Sequence, residues 1–168
     1  MSFAAVTLED LLADFDLTAD KWKAFFAANP AAADVPTDIA ECGTVGGLVW
    51  HLYMASAVHS KRLLGGPVID FAATTSATEK NIDGAWRMHE IGSANLQRFL
   101  AETDDSALDT LLNMRLREGI EIQIRRRKLC LHIFVHAIRH LAQIGPLVRQ
   151  HGFPVGWPQD ISFSSAIR

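Results

Sequence analysis

Apolar residues recur at spacings of three and four in four segments of the chain, and this pattern limits the fold more than any other feature. Such spacing gathers apolar side chains on one face of an α-helix. The predicted helices run from Leu8 to Asn29-Pro30, over about 45–64, from Thr75 or Ser76 to Leu100, and from Arg126 to Gln150. Because packing helix on helix buries such faces, we expect a single all-α domain over residues 1–168.

Residues that start or break helices mark these segments. Thr7 and Asp10 form a capping-box pattern, in which a hydroxyl and a carboxylate satisfy the first free amides of a helix. Thr44 is a candidate cap for the second helix. Gly92 weakens the third helix by up to ~1 kcal/mol relative to Ala. Pro146 must kink the fourth helix or end it early.

The spacing changes to alternation between Asn113 and Ile124. Apolar residues at every second position are typical of a strand with one buried face, and Arg117-Glu118-Gly119 could turn between two arms. This segment predicts a short β-hairpin before the last helix, with one long helix as the alternative.

The composition limits the possible partners and the compartment. A formal net charge of −3 gives no general electrostatic reason to bind nucleic acid, although residues 115–128 are locally basic. No window reaches the ~18 consecutive apolar residues of a membrane helix, and the N-terminus lacks a secretion-signal pattern. Cys42 and Cys130 form no C-x-x-C pair, which indicates reduced thiols. We expect a cytoplasmic protein that binds neither nucleic acid nor membrane.

Three of the seven histidines, His132, His136 and His140, lie at successive four-residue steps. Because an α-helix turns by ~100° per residue, neighbours four apart diverge by about 40°, so at most two of the three converge on one ion. Imidazole suits zinc, nickel, copper and iron. His51, on the predicted buried face of the second helix, is the natural third ligand. The alternative is that His51 hydrogen-bonds a backbone carbonyl or a Glu side chain and that no metal binds.

The remaining candidate residues match no catalytic motif. His59 and His89 are expected to pack or to face solvent, and His151 to be a cation near a helix C-terminus. Residues 137–139 contain no Glu, so the H-E-x-x-H pattern of metalloproteases is absent. The sequence also lacks a serine-hydrolase elbow, a Walker phosphate loop and a dinucleotide-binding glycine turn.

Two segments resemble the DinB/YfiT-like family of metalloenzymes: residues 44–66, TVGGLVWHLYMASAVHSKRLLGG, and residues 132–160, HIFVHAIRHLAQIGPLVRQHGFPVGWPQD. The first resembles that family's second helix, with a metal-binding His near its start, and the second resembles its last helix and tail. The order of the helices also matches. One departure is His140-Leu141-Ala142-Gln143, where many members have H-R-G-Q, so a role that depends on that Arg does not carry over.

The resemblance implies three metal ligands, His51, His136 and His140. It also implies a four-helix bundle of up-down-down-up topology, often paired as a homodimer, with zinc, nickel or iron at one end of the bundle. Gln143 could orient a ligand or a substrate. The alternative is that it is a polar residue on the surface of the bundle.

Two function classes follow from this set of ligands. Three neutral imidazoles leave an ion its full charge and an open position, which is typical of catalytic sites. The family then implies a metal-dependent enzyme, such as a transferase or isomerase that uses a small thiol like bacillithiol or mycothiol, or a hydrolase. The alternative is a non-catalytic metal-binding or stress-response protein that acts through a partner. A fourth protein ligand would favour the second class.

Overall fold

The computed structural model describes residues 6–66, 80–115 and 120–167. Within these ranges it has four long helices, α1 (Leu8–Ala28), α2 (Val45–Leu63), α3 (Ile82–Glu102) and α5 (Arg126–Gln150), and a short helix α4 (Asp105–Leu108). The all-α prediction is confirmed. None of the helices in these ranges combines the length and the apolar character that crossing a membrane requires.

Contacts with α3 show how the first three helices run relative to one another. On α1, Asp16 lies beside His89 of α3, whereas Phe26, further along α1, packs on Trp86. These two helices therefore run antiparallel. Helices α2 and α3 run parallel, because Ala57 lies against Gly92 while the later residue Ser60 accepts a hydrogen bond from Asn95.

The last helix returns antiparallel to α2. His51, near the start of α2, lies beside His136 of α5, and His59, two turns later on α2, lies beside the earlier residue His132. Together with the directions of α1 and α3, this gives the predicted up-down-down-up bundle.

Side-chain caps place the first two helices where the sequence predicts them. The Thr7 amide donates to the Asp10 carboxylate at 2.9 Å, and the Asp10 amide donates to the Thr7 hydroxyl at 3.1 Å, so the capping box is complete. The Thr44 hydroxyl accepts from the amide of Gly47 at 3.1 Å. Each cap satisfies amides that have no partner within the helix.

The third helix differs from the prediction in its start, whereas the last helix has the predicted bounds, Arg126–Gln150. Helix α3 begins at Ile82, because the Asn81 side chain accepts from the amide of Gly84 at 2.8 Å. The predicted start at Thr75 or Ser76 lies outside the described residues. Helix α5 continues through Pro146 to Gln150, so the alternative of an early end is wrong.

Two small antiparallel strand pairs accompany the helices. Strands β1 (Pro36–Thr37) and β2 (Gly43–Thr44) pair in the segment between α1 and α2. Strands β3 (Leu111–Arg115) and β4 (Glu121–Arg125) pair before α5, which confirms the hairpin and excludes the long helix. The predicted turn at residues 117–119 lies outside the described part of the chain.

Helix α2 is the most deeply buried element near the candidate ligands. Apolar and small side chains on almost every side of it are buried, among them Val45, Leu48, Val49, Leu52, Tyr53, Ala57 and Leu63. Phe15 of α1 packs edge-on against Tyr53 at 5.6 Å and against Phe134 of α5 at 6.0 Å, measured between ring centroids. This ring cluster joins α1, α2 and α5.

Gly92 allows α3 to approach α2 closely. A Cβ atom at this position would lie 3.2 Å from the backbone nitrogen of Ala57 and 3.3 Å from the carbonyl carbon of Ser56. The glycine that weakens α3 as an isolated helix therefore permits its packing against α2.

Replacing Gly92 by Val should lower the free energy of unfolding by about 1–3 kcal/mol, because the new methyl groups meet the α2 backbone. Ala94→Val is the matched control. Ala94 is exposed on the same helix, so the same β-branched side chain should cost less than about 0.7 kcal/mol there. Urea denaturation of both variants measures the difference. Equal effects would show that α2 and α3 do not require the close approach.

Candidate metal centre

Helices α2 and α5 bring together the three histidines that were predicted as ligands from the sequence. The ring centroid of His51 lies 5.4 Å from that of His136 and 5.3 Å from that of His140, and the last two are 4.5 Å apart. One nitrogen from each ring lies within 4.8 Å of the other two. The four-residue spacing aligns the pair on α5, and the packing of α2 adds His51.

The nitrogen geometry fits a divalent ion. The Nε2 atoms of His136 and His140 are 3.2 Å apart. Two nitrogens that bind one zinc ion tetrahedrally at ~2.0–2.1 Å are about 3.3 Å apart. Imidazole nitrogen is also a suitable donor for nickel and iron. The three-histidine group could therefore hold a metal ion.

Gln143 holds His140 in a suitable orientation. The Oε1 atom of Gln143 lies 2.9 Å from Nδ1 of His140. Because an amide oxygen only accepts hydrogen bonds, Nδ1 of His140 is the donor and Nε2 keeps its lone pair for an ion. Such hydrogen bonds to the second ring nitrogen orient metal-binding histidines and raise their basicity. The contact favours the orienting role for Gln143.

Burial keeps His136 in the form that binds metals. Desolvation, together with the neighbouring His140 and His51, lowers the pKa of His136 to about 3. The ring is therefore neutral near pH 7, and a metal ion does not need to displace a proton from it.

The other histidines occupy different environments. His132 lies between His136 and His59, with ring centroids 5.5 and 5.4 Å away, and is not in the three-histidine group. His89 packs against Asp16, with Nε2 3.4 Å from a carboxylate oxygen. His151, at the end of α5, has Nδ1 2.9 Å from the carbonyl oxygen of Leu147. The pairing of His59 with His132 was missed at the sequence level.

The two cysteines lie outside the group of candidate ligands. Cys130 is completely buried, and burial raises the pKa of its thiol to about 12. Such a thiol is unreactive near neutral pH. The Cys42 thiol donates to the carbonyl oxygen of Ala40 at 3.4 Å.

A large cavity lies on the opposite face of α5. Its volume is about 650 Å³, and Phe134, Leu141 and Gly145 of α5 line it together with α1 residues and Trp157 of the C-terminal tail. None of the three grouped histidines lines this cavity. Leu141, which stands where many relatives have the Arg of H-R-G-Q, is buried there and does not contribute a charge to the histidine group.

Comparison with known proteins identifies one family. The sequence model described as DinB family matches residues 5–164, which is nearly the whole chain. No curated protein and no solved structure matches the chain.

Replacing Gln143 by Leu should weaken metal binding by about 10- to 100-fold, because Nδ1 of His140 loses its acceptor. The stoichiometry should stay the same, since the three nitrogens remain. Gln150→Leu, an exposed change on the same helix, is the control and should leave the affinity unchanged. Competition with a chromogenic chelator measures both affinities, and an unchanged affinity in Gln143→Leu would exclude the orienting role.

Proposed function

Because the chain belongs to the DinB family, we propose that it is a metal-dependent enzyme that uses a small thiol, with His51, His136 and His140 as the ligands of zinc, nickel or iron. The observation that carries this proposal is the convergence of three imidazoles from two helices. The proposed reaction class is transfer of the thiol to an electrophilic substrate, or an isomerisation that the thiol assists.

The composition of the group supports a catalytic site over a closed structural one. Among the described residues, no fourth His, Cys, Asp or Glu joins the three histidines. Structural zinc sites normally have four protein ligands, whereas catalytic sites have three and keep one position for water or substrate. When bound, a divalent ion would lower the pKa of a coordinated thiol or water and would polarise a carbonyl group.

The residues around the group have separate roles in this proposal. His51 would supply a nitrogen from α2, so the site forms only when α2 and α5 are packed. Burial would keep His136 neutral, and Gln143 would fix the orientation of His140. All three effects prepare the nitrogens before the ion arrives.

The homodimer that the resemblance implies stays a prediction, and so does the cytoplasmic location. A non-catalytic metal-binding protein that acts through a partner is the other class, and it is the outcome that remains if the site binds no exogenous ligand.

The test is titration of the cobalt-substituted protein with 2-mercaptoethanol. The proposal predicts a saturable near-ultraviolet absorption from thiolate-to-cobalt charge transfer, at one thiol per cobalt. His136→Ala should lose this absorption, because it removes a ligand. His151→Ala, a change on the same helix outside the group, should keep it. A cobalt spectrum that no thiol alters would contradict the proposal, and Cys42→Ser excludes the protein's own thiol as the source.

A further inference from the structure

A row of imidazole rings extends from the candidate metal centre along the interface between α2 and α5. His140, His136 and His132 of α5 are followed by His59 of α2, and we call these four the histidine row. Successive ring centroids are 4.5, 5.5 and 5.4 Å apart. At the far end of the row, the Nη1 atom of Arg62 lies 3.4 Å from Nδ1 of His59. The row therefore connects the candidate metal centre to a guanidinium group.

This guanidinium is partly buried without a counter-ion in the described part of the chain. The Nε atom of Arg62 is buried and has no hydrogen-bond partner, and burial lowers the pKa of the side chain. The surface arginines Arg98 and Arg127, in contrast, form ion pairs with Asp or Glu. Burying a charge without a partner destabilises a protein, so a site of this kind gains from a bound anion.

The surroundings of this end of the row carry positive charge. Burial, followed by the charge of Arg62, lowers the pKa of His59 to about 4. Among the described residues, Arg62 is the charged side chain that acts on His59, and because it is a cation the local field favours an anion.

The hydrogen-bond pattern favours an anion over a second metal ion. Arg62 has no acceptor atom, so it donates to Nδ1 of His59, and the proton of the neutral ring is then on Nε2. His59 thus offers an N–H group, not a lone pair, on its other side. The remaining N–H groups of the guanidinium are also donors, and a forked donor of this kind matches a carboxylate or a phosphate.

We propose that Arg62, which His59 holds through Nδ1 beside His132, binds an oxyanionic group, a carboxylate or a phosphate, of the substrate whose reacting end lies at the three-histidine group. The inference rests on the proposed function, since it names a recognition element for the same site. His59 follows His51 by two helical turns, which corresponds to about 12 Å along α2. The substrate should therefore be an extended anion and not a compact one.

The test uses the metal-free protein and inorganic phosphate, so that it does not depend on activity. Phosphate is titrated at constant pH and ionic strength, with sodium chloride as the balancing salt, while the imidazole resonances are followed by ¹H–¹³C NMR. Saturable shifts are expected at His59 and His132, and smaller ones at the distant His89 and His151. Sulfate and acetate then compare the oxyanion classes.

Arg62→Gln should raise the Kd for phosphate at least ~10-fold, because charged hydrogen bonds are lost. Arg149→Gln makes the same change of net charge near the end of α5, and it should bind phosphate like the wild type. Unchanged affinity in Arg62→Gln would overturn the proposal. If that variant does not fold, the wild type alone decides, because shifts at His151 as large as those at His59, or shifts that never saturate, would also overturn it.

A parallel measurement separates this inference from the proposed function. Arg62→Gln should bind one metal ion per chain as the wild type does, because the three nitrogens are untouched. Phosphate binding with no metal uptake would contradict the proposed function and leave the anion site standing. Metal uptake without phosphate binding would contradict the anion site and leave the proposed function standing.

Discussion

The packing of the buried helix α2 against α3 and α5 is the interaction on which the candidate site depends. A single helix can align His136 and His140, but a third nitrogen has to come from another element. Helix α2 supplies it by running antiparallel to α5, which places His51 beside both rings. Gly92 allows α3 to close against the other side of α2. The core and the site therefore share one structural element.

Burial gives the interface between α2 and α5 its chemical character. Imidazoles that titrate near neutrality in water are held neutral here, as the lowered pKa values of His136 and His59 show. Neutral rings are costly to bury without partners, and here the rings contact one another. His140 at one end of the row also contacts Gln143, and His59 at the other end contacts Arg62. In the two proposals, the three-histidine group would hold a cation and Arg62 would hold an anion. Such a separation of charge would favour one direction of binding for an extended substrate.

Much of the fold could be predicted because local patterns determine it. The Thr7 capping box, the apolar faces of the helices and the alternation in the hairpin are properties of short segments, and the structure confirms each of them. The start of α3 was harder to locate, because the cap at Asn81 is a single side chain within a polar segment. Helix α5 continues through Pro146 to the predicted end at Gln150, and Ile144, Gly145 and Val148 around the proline are buried against the bundle.

The candidate site could be predicted only in part. The four-residue spacing pointed to two of the three histidines on α5, and the predicted buried face of α2 pointed to His51. The family resemblance selected His136 and His140 as the pair. The partners of His59 and Arg62 depend on how α2 and α5 are aligned along their axes, and a periodic pattern in one sequence does not specify that alignment. Arg62 lies within the apolar stripe of its helix, and this was the one local signal of its unusual environment.

The central claim is that His51, His136 and His140 bind one metal ion, and elemental analysis of protein purified without a histidine tag tests it most directly. The wild type, His136→Ala and His59→Ala are compared after reconstitution with zinc, nickel or iron. The account predicts one equivalent of metal in the wild type and in His59→Ala, and none in His136→Ala. A wild type without metal, or a His136→Ala variant that keeps a full equivalent, would contradict it.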